Sequence, residues 1–199
     1  MHVINGKYVR QMDAAEVAAW AAPFQEIAVD IGAGDGRFVR RLTRERPDLG
    51  AIAVDICEAN LRPAARATGR QALFVVADGR ALPAELHGLA THLTLYFPWG
   101  SLLRGLVVGD ASFLAGFTAV AQWGATVDIA VNAGALAACG LTLESGAERI
   151  ASVLRDAGAR IGTPTHLGAP DLRHLPTTWA KRLAFGRDPR AIRIAAAIT

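Results

Sequence analysis

Three glycines at alternate positions, Gly32, Gly34 and Gly36, follow directly on the carboxylate of Asp30. Glycine lets a chain turn sharply and come close to a ligand, because no Cβ intervenes. The spacing is G-x-G-x-G, whereas dinucleotide loops read G-x-G-x-x-G. An anionic pyrophosphate is disfavoured beside Asp30 and Asp35. A ligand carrying an ammonium and a sulfonium, such as S-adenosylmethionine (SAM), is attracted by the same groups. Asp30 would face its amino group, directly or through water. Asp55 lies about 20 residues beyond the glycines, where an acid accepts from ribose hydroxyls, with Ile56 beside it. Asp78-Gly79-Arg80 would border the adenine. Glycines alone are weak evidence, since any tight turn in a nucleotide-binding fold uses them. The spaced acids carry the reading.

A second block, Phe97-Pro98-Trp99-Gly100-Ser101, supplies an aromatic where the reactive end of such a cofactor would point. Pro98 fixes its own φ and cannot donate to a strand ladder. Trp99 then offers a large stacking face at a strand end, although a tryptophan is often simply core. Ser101 either bonds the cofactor carboxylate or caps the next turn. Trp179 is the natural partner of Trp99. It stands in a loop-like segment, after Thr177-Thr178 and before Lys181 and Arg182. An aromatic beside cations holds an unstacked base and its phosphates. The alternative for Trp179 is a hydrophobic anchor at a helix start.

These residues need a scaffold. The apolar run Ile27–Ile31 reads as a buried strand, the glycines as a turn, and residues 37–45 as helix. That is the first unit of a doubly wound sheet. Further units follow: strand Ala51–Asp55 with helix 58–67, strand Leu73–Val76 with a short helix near 83–88, and strand His92–Tyr96. Helix 111–122 precedes strand Thr126–Val131, and helix 144–157 precedes a strand near 160–166 and a last one, Ala191–Ala197. Trp20 and Trp123 fall on predicted helices as packing residues. At the start, Asn5-Gly6 between β-prone residues signals a hairpin over residues 1–10. Asp13-x-x-Glu16 then opens a helix as a capping box. The expected fold is α/β and Rossmann-like, a seven-stranded, mostly parallel sheet after an N-terminal β-hairpin. One domain spans residues 1–199.

Composition narrows the class. A chain of 199 residues with 52% hydrophobic content suits one globular domain. No 18-residue uncharged apolar stretch and no signal-peptide pattern is present, so a cytoplasmic protein without membrane contact is expected. Cys57, Cys139 and five scattered histidines lack ligand spacing, so no metal is expected. The chain has a formal charge of +3, yet residues 160–199 hold seven Lys/Arg against two Asp. This basic C-terminal region favours an anionic partner such as RNA, the alternative being a solvated helix face.

At this point the chain resembles the 16S ribosomal RNA adenine-1408 N1-methyltransferases, a family that includes aminoglycoside-resistance enzymes. The resemblance covers nearly the whole chain. It is carried by Asp30–Arg41, by Leu73–Leu86 with Leu82-Pro83-Ala84-Glu85-Leu86, by Phe97–Leu103 and by Trp179–Gly186. It implies a class I SAM-dependent methyltransferase, with Trp99 and Trp179 sandwiching a flipped adenine and Phe97 and Pro98 completing the catalytic set. Thr177 would order the segment holding Trp179. Lys181, Arg182, Arg187 and Arg190 would contact rRNA within the 30S subunit, the protein acting as a monomer. Two departures stand out. The family's acidic residue after the third strand is Arg80 here, and its Lys-rich segment before that strand is reduced to Arg62, Arg66 and Arg70.

The implied reaction needs no general base, because neutral adenine N1 presents an in-plane lone pair. Positioning N1 about 3 Å from the methyl group is the catalytic task. Flipping the base costs about a few kcal/mol, which stacking of about 1–3 kcal/mol per base contact offsets. The rival readings are a small-molecule methyltransferase, a weakly active or inactive SAM-binding ribosome-associated homologue, and a nucleotide-dependent oxidoreductase. Glycine spacing and Asp30 disfavour the last.

Overall fold

The computed structural model describes residues 1–199. The Asn5-Gly6 signal produces a hairpin of β1 (His2–Asn5) and β2 (Tyr8–Gln11), with Gly6 at a φ of 61°. Asp13 caps α1 (Ala14–Ala21) in the expected box. Its carboxylate accepts from the Glu16 N–H at 2.8 Å, and Glu16 accepts from the Asp13 N–H at 3.1 Å. Then come β3 (Ile27–Ile31), α2 (Arg37–Glu45), β4 (Gly50–Asp55), α3 (Glu58–Arg66) and β5 (Ala72–Val76). A 3-10 turn at Ala84–Leu86 leads to β6 (Ala90–Tyr96), α4 (Gly100–Val108) and α5 (Ala111–Val120). The remainder is β7 (Ala121–Asn132), α6 (Ala133–Ala137), α7 (Leu143–Asp156), β8 (Ala159–Ile161), β9 (Thr165–Leu167), α8 (Ala169–His174), α9 (Thr178–Ala184) and β10 (Ala191–Ile198).

All strands join one sheet in the order β2-β1-β5-β4-β3-β6-β7-β10-β8, with β9 beside β10. The central five, β5-β4-β3-β6-β7, are parallel. Every residue of β3 is buried, as expected of a strand covered by helices on both faces. Val29, Ile31, Leu93, Leu95 and Ile129 meet the helices on one face, and Ala28, Ala51, Ala53 and Phe74 on the other. The chain moves one way from β3 to β4 and later the other way to β6. The loops after β3 and β6 therefore diverge and leave a crevice at the strands' carboxyl ends.

Several expectations need correction. The sheet has ten strands and not seven: the two strands of the hairpin join it, pairing with β5 at Val3–Val75, and one expected strand is split in two. The strand expected near 160–166 is two strands, both antiparallel to β10. Between them Pro164 has no N–H for a ladder. Helix 111–122 ends at Val120, so Trp123 lies on β7, where it is 85% exposed. Short apolar runs suit helix or strand alike, and pairing of Ala121 with Ala90 decides this one. Helix α4 was not foreseen, since Gly100 and Gly105 lower its intrinsic propensity. Burial of Leu103, Leu106 and Val107 stabilises it. Helices α6 and α8 also fell outside the expectation. Trp179 stands in the first turn of α9 instead of in a loop.

Candidate active site

Asp30 sits at the head of the crevice, next to last in β3. Parallel register places Thr94 of β6 beside it, and the Thr94 hydroxyl donates to Asp30 Oδ1 at 2.6 Å. Asp30 is only 4% exposed. Burial pushes its carboxyl up to about 7; the Thr94 hydrogen bond opposes the rise and the Asp55 charge adds to it. No cationic side chain pairs with either Asp30 or Asp55.

Asp55, at the end of β4, shapes the glycine loop. Its Oδ2 accepts from the Gly34 N–H and its Oδ1 from the Cys57 N–H, each at 2.8 Å. Each carboxylate oxygen keeps a further lone pair for a ligand hydroxyl. Gly34, at a φ of 57°, faces open space where a side chain would intrude. A Cβ on Gly36 would lie 2.8 Å from the Phe74 ring, so that glycine is required for loop packing.

Two contiguous cavities open beside this loop, of about 270 and 330 Å³. They share Gly32, Gly34, Asn60, Tyr96 and Trp179 along their common wall. The first takes in Asp30, Asp35, Phe38 and Thr178, and the second Asp55, Ile56, Asp78, Gly79, Arg80, Pro98, Trp99 and Ser101. A buried, unpaired carboxylate at one end and a second acid at the other fit an elongated ligand with a cationic head and a nucleoside. The Arg80 departure has a local outcome. Its guanidinium grips Asp78, with Nη2 2.6 Å from Oδ2, and holds that carboxyl below its usual range. Ser101 does not cap α4. The cap position is Trp99, and Ser101 lies exposed in the first turn, bordering the second cavity.

Phe97 follows the last residue of β6 in an uncommon turn. Its backbone turns at a φ of 56°, unusual for a residue with a side chain. The ring is 2% exposed and packs with Leu172 of α8 and Ala180 of α9. The ring anchors the helices that cover the site, and Phe97 also borders the second cavity beside Pro98 and Trp99. The turn continues through Pro98 and brings Trp99 over the crevice. Trp99 and Trp179 are each 41% exposed, with ring centroids 5.4 Å apart and planes inclined by 29°. Thr177 caps α9 through the Ala180 N–H at 3.0 Å. The Thr178 hydroxyl donates to Asp35 Oδ2 at 2.6 Å, tying the helix that carries Trp179 to the glycine loop.

Residues beyond the sequence reading complete the site. The Tyr96 hydroxyl donates to Asp128 Oδ2 at 2.6 Å, and Arg193 grips the same carboxylate at 2.7 and 2.6 Å. Burial and the Asp128 charge push the Tyr96 hydroxyl pKa up, so it stays protonated. Phe38 meets Tyr96 edge-on at 5.2 Å. Alternation along β6 was the one available signal, since Thr94 and Tyr96 share a face.

The basic residues divide into two groups. Lys181, Arg182 and Arg187 are exposed without a carboxylate partner, and Arg182 lies 5.5 Å from the Trp179 ring centroid. Arg190 pairs with Asp188, holding that carboxyl down at about 2. Arg62 is engaged by Glu58 and the Lys7 carbonyl, whereas Arg66 is exposed. No group of three or more His, Cys, Asp or Glu side chains is placed to hold a metal ion. No single helix is long and apolar enough to cross a membrane.

The strand order and the acid-lined crevice at the switch point define a Rossmann-like, class I methyltransferase fold. The model of the NpmA family, 16S rRNA (adenine(1408)-N(1))-methyltransferase, matches residues 2–198, and the chain belongs to that family. The 16S rRNA (adenine(1408)-N(1))-methyltransferase of Streptoalloteichus tenebrarius is 28% identical, with 94% of each chain covered. A tryptophan-to-alanine variant of the enzyme of that name from Catenulisporales acidiphilia was solved with its cosubstrate SAM. It is 26% identical, covers 100% of this chain and 96% of its own, and superposes with a TM-score of 0.85. The aminoglycoside resistance methyltransferase NpmB1 is 27% identical over 100% of both chains, with a TM-score of 0.82.

Proposed function

We propose that the chain transfers the methyl group of SAM to N1 of adenine 1408 in 16S rRNA of the 30S subunit, and so confers aminoglycoside resistance. The observation that carries this is the Trp99–Trp179 pair poised over the crevice that Asp30 heads. SAM, when bound, supplies an electrophilic methyl on a sulfonium. Asp30, ionised by the arriving ammonium, binds the amino-acid end, and Asp55 accepts from the ribose. Asp78, Gly79 and Ile56 border the adenine, with Ser101 at the rim.

The tryptophans select and hold the target base. An inserted base needs about 7 Å between them, twice a carbon–carbon contact of about 3.5 Å. The rings therefore part by a small amount as the adenine enters and takes over their mutual stacking. Tyr96, fixed by Asp128 and Arg193, forms the floor beneath the reacting centre. No side chain needs to remove a proton, because N1 attacks through a free lone pair. Lys181, Arg182 and Arg187 bind rRNA phosphates, with Arg66 of α3 a further contact, and Arg190 joins them only by exchanging Asp188 for a phosphate. Arg62 is already satisfied by Glu58 and contributes little. The enzyme works as a monomer, in the cytoplasm where 30S subunits reside.

Primer extension on 30S subunits incubated with protein and SAM tests this reading. Methylated N1 cannot pair, so reverse transcriptase should stop at adenine 1408. Read-through at that adenine, with 30S recovered intact, would refute it.

A further inference from the structure

Phe185 closes α9 and is 79% exposed. A single exposed aromatic is ordinary. Its surroundings set this one apart. Along α9, Trp179, Arg182 and Phe185 recur at three-residue steps, which makes successive members neighbours on the helix surface. The Arg182 guanidinium lies 5.5 Å from the Trp179 ring centroid. The Arg173 guanidinium, from α8, lies 6.0 Å from the Phe185 ring centroid. Aromatic and cation thus alternate over six residues, a rise of about 9 Å.

The charge here is one-sided. Arg173, Lys181, Arg182 and Arg187 have no ion-pair partner. Of the nearby acids, Asp188 is held by Arg190, Asp171 accepts from the Gly168 N–H at the start of α8, and Asp35 accepts from the Thr178 hydroxyl and lies beside Arg37. An apolar ring among unpaired cations suits a partner with flat faces and dense negative charge. Unpaired RNA has both properties, since every base offers a π-face between phosphates.

We propose that Phe185 and Arg173 form a second RNA-stacking site, which holds a nucleotide flanking the flipped adenine. Phe185 stacks on its base and Arg173 binds the adjoining phosphate. This rests on the rRNA reading above and extends the contact past Trp179 along the same helix. Neither residue lines the cofactor cavities, so both act on substrate affinity and not on cofactor binding.

The test measures 30S binding and methylation by Phe185→Ala, Phe185→Leu, Phe185→Trp and Arg173→Ala proteins whose SAM affinity matches the parent by calorimetry. Phe185→Ala and Phe185→Leu should each weaken 30S binding about tenfold, and Phe185→Trp should bind at least as well as the parent. Phe185→Ala should leave the logarithmic salt slope unchanged, while Arg173→Ala should lower it by about 1. A photoreactive phenylalanine analogue at position 185 should crosslink to 16S rRNA. Parental affinity in Phe185→Ala overturns the proposal, as does full affinity in Phe185→Leu, or a crosslink to a ribosomal protein. Failure of the parent itself to bind 30S subunits strikes instead at the rRNA reading.

Discussion

Asp30→Asn should make the cofactor-free protein more stable while removing its hold on SAM. The Asp30 carboxyl is raised from an ordinary 3.8 to about 7, foremost because burial penalises the charged form. Between those values the folded state binds more protons than the unfolded one. Stability therefore falls as pH rises through that window, and it is flat above it. At 1.36 kcal/mol per pH unit the loss amounts to about 4 kcal/mol near pH 7 and above. Asparagine keeps an acceptor for Thr94 and bears no ionisation cost. Variant and parent should match near pH 4 and diverge steadily until about pH 7, ending roughly 8–16 °C apart in Tm for a chain of this size. Any offset from the carboxamide's own hydrogen bonding is the same at every pH, so the widening of the gap is the diagnostic. With S-adenosylhomocysteine at 100 times its Kd, the parent should gain about 2.7 kcal/mol, and the variant almost none. Parental affinity should also weaken below pH 7, as Asp30 takes up a proton. Thermal denaturation from pH 4 to pH 8.5, with and without ligand, reads all of this. A constant difference across that range would show that Asp30 is not a buried acid held for a cation.

Three further outcomes follow from the geometry. Trp99→Ala and Trp179→Ala should each cut 30S methylation strongly with SAM affinity preserved, and the double variant should be less than additive, because both rings stabilise one flipped state; parental rates in folded single variants would dismantle the clamp. Thr178→Val removes the bond to Asp35, worth about 0.5–1.5 kcal/mol net, so kcat/KM on 30S should drop several-fold and Thr178→Ser should restore it; a serine variant as poor as valine argues that shape, not the hydroxyl, positions Trp179. Combined Lys181→Glu and Arg187→Glu should weaken 30S binding and flatten its salt dependence, since fewer counterions are released; an unchanged slope would leave these cations as a solvated face.

Whatever depends on contiguous residues was legible. The glycine loop demands positive φ at Gly32, Gly34 and Gly36, and only glycine adopts it freely, so the requirement is written in the sequence itself. The acids near the ends of β3 and β4 are equally local, because the end of each apolar run shows where its strand stops. The hairpin turn and the Asp13 capping box are equally local. Phe97 was legible as part of a motif, but not its direction. A left-handed turn at a phenylalanine is uncommon, and it sends the ring beneath α8 and α9. Helix α4 escaped notice because packing, not propensity, stabilises it.

What only the tertiary structure decided are meetings between residues far apart in the chain. Thr178 reaches Asp35 across 143 positions, Tyr96 reaches Asp128 across 32, and Arg193 reaches the same carboxylate across 65. The separation of Trp99 from Trp179 depends on how α9 docks against the end of β6. The rise of Asp30 to about 7 depends on the helices and strands that bury it. Local propensity carries no record of such distances. They arise when the parallel strands align in register and the covering helices exclude water from between them.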